Sequence, residues 1–143
     1  MKKLVTVLGT VLAVAFSSAA MSGVCTKEKL AGRYVISVAS DDNNYYFGAG
    51  GLYRVFLNTN GMGKVIAYGE VQDGHIESDY VHWPIEWDVA EDCTGGIFIA
   101  DGRGGINSIF AASGSVSRPV LSGLGKSKFR GMTGLWRAER VDF

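Results

Sequence analysis

VHWPIEWDV, residues 81 to 89, decides the fold class. Val81, Trp83, Ile85, Trp87 and Val89 fall on one side of an extended chain, and His82, Glu86 and Asp88 fall on the other, a period of two that a helix does not produce. One face is therefore buried and the other wet, as in an antiparallel sheet. Pro84 has no N–H to give to a ladder, so a bend, a bulge or a break between two strands is expected there.

The pattern extends outward from this stretch. Tyr53, Val55 and Leu57 make a second inward row, with Leu52, Arg54 and Phe56 on the opposite side, and aromatics on both sides suggest an outer surface that something covers. Alternating runs predict strands near 33–40, 51–58, 63–71, 74–82, 84–90, 95–101, 105–112 and 129–141. Turn residues separate them: Asp41 to Asn44, Asn60-Gly61, Asp73-Gly74, Glu91-Asp92, Asp101-Gly102 with Gly104-Gly105, and a looser Gly114 to Gly125 segment. Only TKEKLA, residues 26–31, reads as a helical turn. The expectation is an all-β, single-domain antiparallel meander of about eight strands, closed into a barrel so that no edge is exposed; a two-sheet sandwich is the alternative. The chain holds 20 glycines, many of them inside strands, which fits strongly curved strands.

The first residues predict export. Lys2 and Lys3 precede an uncharged, mostly apolar run from Leu4 to Phe16, and Ser18, Ala19 and Ala20 supply small residues for a signal peptidase. The run is shorter than the roughly 20 residues of a spanning helix, so a cleaved signal over 1–20 and a mature domain over 21–143 are expected, in the periplasm or outside the cell, with no membrane span after cleavage. Removing Lys2 and Lys3 from the 14 basic residues leaves 12 against 14 acidic ones, a near-neutral chain without the surplus of cations that nucleic acid demands. Charge is nonetheless segregated. No Lys or Arg lies between Lys64 and Arg103 while nine acids do, and the tail from Lys126 carries five basic residues against two acids, so the two regions should attract.

In an oxidising compartment the two cysteines, Cys25 and Cys93, are most simply a disulfide closing a loop of about 68 residues. The acids preceding Cys93 would raise a thiol pKa and blunt a nucleophile. The two histidines and two cysteines show none of the short ligand spacings of structural zinc sites, and no metal or cofactor is expected.

Two stretches carry resemblances. PIEWDVAEDCTGGI, residues 84–97, resembles the Gly-Thr-Tyr-x-Val-x-x-Asp-Cys-Thr-Gly-Thr strand and turn of small exported bacterial lipocalin-like proteins. Those proteins also begin with a Cys ahead of Leu-x-Gly-x-Tyr, as Cys25 and Leu30-Ala31-Gly32-Arg33-Tyr34 do here. GKSKFRGMTGLW, residues 125–136, is similar to the Gly-rich closing hairpin of the allene-oxide-cyclase-like barrels, a group with dirigent proteins and spirocyclases. Ile85-Glu86 and Lys126-Ser127 depart from these patterns. The resemblance implies a barrel with a cavity and carries over no catalytic residue.

Several constellations could carry chemistry. No Gly-x-Ser-x-Gly elbow is present. His75, Glu77 and Asp79 alternate on one face and could offer metal ligands, although a polar outer face reads more simply. Glu86 and Asp88 have a spacing close to that of an inverting glycosidase pair, in a chain with little room for a sugar cleft. Aromatic residues are the stronger lead: Tyr53, Tyr68, Trp83, Trp87, Phe110 and Trp136, with Phe98, are candidates to line the interior. They either fill the barrel or enclose a small hydrophobic ligand. The expected function is a binding barrel for such a molecule. The alternatives are a cavity-templated cyclase or isomerase using Glu70 or His82, or a structural or inhibitory protein acting through Leu52, Phe56 and the charged strips.

Overall fold

A computed structural model describes Met21 and residues 23–40, 50–72, 75–128 and 133–141; the predicted signal over 1–20 and the Asp41 to Asn44 and Asp73-Gly74 turns lie outside the described residues. One helical turn, α1 (Lys27–Leu30), precedes eight strands: β1 (Gly32–Ser40), β2 (Gly50–Leu57), β3 (Met62–Gln72), β4 (His75–Val89), β5 (Thr94–Ile99), β6 (Ile106–Gly114), β7 (Pro119–Ser127) and β8 (Thr133–Arg140). Each strand pairs antiparallel with the next, and β8 returns to β1, closing the barrel. The all-β meander is as expected, and the sandwich is excluded.

Its strands differ from the sequence pattern in two places. The runs expected at 74–82 and 84–90 are one strand, β4, of 15 residues. Pro84 does not break it, because β5 ends beside it: the Pro84 carbonyl accepts from Ala100 N–H at 2.9 Å, and the proline nitrogen is turned to the same side, where no ladder continues. The loose segment from Gly114 to Gly125 contains β7. There Leu121, Gly123, Gly125 and Ser127 take the inner phase, while Leu124 points outward and is 45% exposed, so apolar residues occupy both faces and the alternation is lost. Gly123 is required by close approach, since a Cβ there would overlap the Ile109 carbonyl oxygen on β6.

Residue 66 supplies curvature. Against β2 the register shifts between Val65 and Ala67, and against β4 it shifts at the same point, so both seams of β3 bulge together. The expected rows hold: Val55, Leu57, Ile85 and Trp87 are buried, and His82, Glu86 and Asp88 are exposed. Phe98 is a correction. It lies between the buried Ile97 and Ile99 and opposite the exposed Glu86 and Asn107, which puts it on the outer wall, packed over Gly105.

α1 seals one end. Thr26 caps it by accepting from Lys29 N–H at 3.3 Å, and Leu30 is fully buried. Arg140, the last residue of β8, donates to the carbonyls of Lys29 and Ala31 at 3.1 and 3.3 Å and to those of Val116 and Ser117 at 2.6 and 3.2 Å. Cys25 and Cys93 are disulfide-bonded, with Cα atoms 5.0 Å apart, and Cys25 N–H donates to the Glu91 carbonyl at 3.1 Å. Around Cys93, which has a positive φ of 70°, Asp92 accepts from the Thr94 hydroxyl and N–H at 2.6 and 3.0 Å. Those bonds hold its carboxyl below the usual range. In this setting Asp-Cys-Thr is a turn that seats the disulfide.

Tyr34 faces inward at the same end and donates its hydroxyl to the Leu30 carbonyl at 2.6 Å. Burial pushes the phenol well above its ordinary pKa, and nearby Arg140 offsets this in part. The folded value lies above the unfolded value of about 10, so the stabilisation is complete below pH 10 and is lost as pH rises toward the folded value. The stability advantage of wild type over Tyr34→Phe should therefore be constant to about pH 10 and then shrink by up to about 1.4 kcal/mol per pH unit, measured by urea unfolding between pH 8 and 11.5. A gap independent of pH across that range would refute the assignment.

Candidate functional site

The inner face divides into two halves. Toward α1 the inward residues, among them Tyr34, Leu57, Val65, Ile85 and Leu121, are buried and fill the barrel. Toward the opposite end Val38, Tyr53, Tyr68, Val81 and Trp83 also face inward, yet they are only half-buried. A side chain pointing into a closed barrel meets solvent only from an end, so among the described residues it is this half of the inner face that solvent reaches.

An aromatic wall lines that half. Tyr53 on β2 and Tyr68 on β3 are direct cross-strand partners, with ring centroids 6.5 Å apart and planes inclined at 26°; Tyr68 continues to Trp83 on β4 at 5.1 Å and 19°. Near-parallel rings across three strands form a continuous aromatic wall whose hydroxyl and indole groups are polar. The Tyr53 hydroxyl donates to the Glu70 carboxylate. Beyond the rings, Tyr68 pairs with Asp79, and Glu70 pairs with Glu77. The exposed Glu77 and Asp79 thus share the phase of Val81 and Trp83, not the outer face expected for them, and His75 is described only by its strand pairing with Gln72. From His75 to Trp83, β4 pairs with β3 alone, so this hairpin stands past the end of β5.

The β5–β6 loop faces it. Asp101, only 7% exposed, accepts from the N–H groups of Arg103 and Gly105 at 2.9 and 3.0 Å. Gly102, Gly104 and Gly105 all have positive φ, which the tight loop requires. The loop holds the Arg103 guanidinium 6.0 Å from the Trp83 ring centroid. Nothing in the sequence pattern marks Arg103 for this position; Val38 could have been found from its alternation with Tyr34 and Ile36.

The other aromatic candidates lie deeper. Trp87 is in the sealed half, its indole N–H shared between the carbonyls of Asn58 and Met62 at 3.0 and 3.1 Å. Phe110 is buried over Gly95, and Trp136 meets it edge to face at 6.3 Å and 65°. Of the six proposed lining residues, then, Tyr53, Tyr68 and Trp83 are half-buried and stacked across β2, β3 and β4, while Phe110, Trp136 and Trp87 are buried.

The acidic and basic segments do not meet broadly. β4 and β8 are diametrically opposed in the ring of eight strands. His82, Glu86 and Asp88 lie on the outer wall, where Asp88 pairs with Lys27 at 3.4 Å, so Glu86 and Asp88 flank no cleft into the barrel. Among the described residues no three His, Cys, Asp or Glu side chains come together to hold a metal, and no helix is long and apolar enough to cross a membrane. Outside, Leu52 is exposed and Phe56 half-covered by the Arg33 guanidinium at 5.7 Å. The apolar row on the outer wall runs elsewhere, through the cross-strand partners Ile109, Leu124 and Leu135. No protein-family model matches the chain, and no curated protein matches it in sequence.

Proposed function

We propose that this is an exported barrel that carries or sequesters one small hydrophobic molecule in the solvent-reached half of its interior, stacked on Tyr53, Tyr68 and Trp83. The observation that carries the reading is the contrast between the filled half and the half-buried inward aromatics, since rings meant only as core would be sealed as Tyr34 and Trp87 are. The disulfide supports an oxidising compartment, as do the signal-like first residues and the likeness to small exported lipocalin-like proteins. A cyclase or isomerase is the second reading. It rests on Glu70, a carboxylate that accepts from the inward Tyr53 hydroxyl, whereas His82 is on the outer wall.

Titration with N-phenyl-1-naphthylamine, a neutral probe that brightens in apolar surroundings, tests the first reading. One saturable site per chain is expected. Trp83→Ala should weaken it about tenfold, through the loss of one stacking ring, while Leu135→Ser on the outer wall leaves it unchanged. Absence of saturable binding, or sensitivity to Leu135→Ser instead of Trp83→Ala, would overturn the reading.

A further inference from the structure

The sequence segregates acidic from basic residues, and the fold leaves the two sets apart, on opposite sides of the rim that faces away from α1. On one side stands the β3–β4 hairpin, where β4 from His75 to Trp83 pairs with β3 alone. Glu77 there lies directly opposite Glu70, and the exposed Asp79 follows on the same face; like charges paired across strands repel. The reverse of the segment carries Ile76 and Tyr80, 80% and 82% exposed, the most exposed large apolar side chains among the described residues. Across the ring of eight strands, β7 reaches the same rim with Lys126 and leads into Lys128. Lys128 N–H donates to the Gly105 carbonyl at 3.0 Å, and its stem packs on Gly104, beside the loop residue Arg103. Both lysines are exposed. Among the described residues neither they nor Glu77 and Asp79 form an ion pair.

From this arrangement we infer that the rim docks onto the rim of a second copy of the chain, the acidic hairpin of each against the basic side of the other. A half-turn about an axis in the plane of the rim, at right angles to the line from acids to bases, sets Glu77 and Asp79 of each copy against Lys126 and Lys128 of its partner. Symmetry makes both contacts at once, and both are attractive. Height fits as well as charge. The acidic hairpin stands past the end of β5, whereas Lys128 is tied to the β5–β6 loop at the level where β5 ends, so the tall side of one copy meets the low side of the other. The exposed Ile76 and Tyr80 bring apolar surface to the same contact. A second copy fits better than an unrelated partner because one rim carries both a charge pattern and its complement. With 14 basic and 14 acidic residues, no net charge opposes self-association. The inner halves of the two barrels then face one common chamber, which shields Tyr53, Tyr68 and Trp83 from bulk solvent. The inference stands on the rim and does not require a molecule inside. A contact made by rims alone is small and polar, hence weak and sensitive to salt.

Sedimentation equilibrium of the oxidised protein in about 20 mM salt should show a monomer–dimer equilibrium with a dissociation constant of about 10–100 µM, weakened at least about tenfold in about 0.5 M salt. Glu77→Lys with Asp79→Lys makes both sides of the rim basic, and Lys126→Glu with Lys128→Glu makes both acidic. Each double variant should be monomeric on its own. Mixed in equal amounts, the two should form a heterodimer about as tight as the wild-type dimer, because every contact is again between opposite charges. All four positions are exposed, and the mixture reports that both variants are folded. Wild type that stays monomeric at about 500 µM in low salt would overturn the inference, as would a dimer that survives either charge reversal or a mixture that stays monomeric. A dimer abolished by Leu135→Ser would move the interface to the outer wall and overturn it equally.

Discussion

Replacing Cys25 and Cys93 together by serine should lower the free energy of unfolding by about 4 kcal/mol, the chain-entropy value for a closed loop of 68 residues. That is a large share of the 5–15 kcal/mol typical of a domain. The bond joins the segment before α1 to the β4–β5 turn, and Cys93 is tied on both sides: its N–H donates to the Ala90 carbonyl at 3.0 Å, and its carbonyl accepts from Ala112 at 2.8 Å. Cutting the link therefore frees the N-terminal segment in the unfolded chain without removing a barrel strand. In guanidinium chloride the double variant should unfold at a lower midpoint with a steeper dependence on denaturant, because the uncrosslinked chain exposes more surface. Chemical reduction of the wild type should reproduce both changes. At the opposite end the affinity for N-phenyl-1-naphthylamine should stay unchanged as long as the protein is folded. A loss under 1 kcal/mol would mean that the hydrogen bonds of the seal suffice without the disulfide.

How much of this was legible in the sequence follows from where solvent lies. Residues 81–89 declare their strand because one face meets water and the other does not, and Tyr53, Val55 and Leu57 declare theirs for the same reason. β7 hides because its inner face is built of Gly123, Gly125 and Ser127 while Leu124 points out, so composition opposes position. Phe98 misleads in the opposite sense: an aromatic between Ile97 and Ile99 looks like core, but the pleat sends it outward over a glycine. Pro84 is a breaker by chemistry and a tolerated strand residue by location, since its missing N–H faces a seam that β5 no longer reaches.

The site was partly legible for a related reason. Residue type identifies Tyr53, Tyr68, Trp83, Phe110 and Trp136 as interior candidates. Whether the interior is full or open, however, depends on how far each strand runs past its neighbour. The β3–β4 hairpin extends above the short β4–β5 seam, and that offset, which no local pattern encodes, separates the sealed Trp87 from the reachable Trp83 only four residues away. Arg103 is a loop residue placed by the Asp101 turn. Its cation above Trp83 becomes visible only when β5 and β6 are folded.

Leu30→Ala is expected to be the most damaging single truncation, costing about 2–5 kcal/mol. Leu30 is completely buried, and its neighbours are fixed from several directions: the Tyr34 hydroxyl binds its carbonyl, and Arg140 clamps the carbonyls of Lys29 and Ala31 on either side. A site held so tightly cannot collapse around the missing methyl groups, which places the expected loss toward the upper part of that range. Leu30→Met, which preserves volume, should cost less than about 1.5 kcal/mol and serves as the comparison. Arg140→Met should act on the same unit, because removing the guanidinium leaves four carbonyls without their donor, so the combined Leu30→Ala and Arg140→Met variant should lose less than the sum of the two single losses. Equilibrium unfolding of the four variants checks this. Additive losses, or a Leu30→Ala cost under 1 kcal/mol, would show that α1 merely rests on the barrel end and that the closed floor, on which the one-sided access of any interior molecule depends, is held by the disulfide alone.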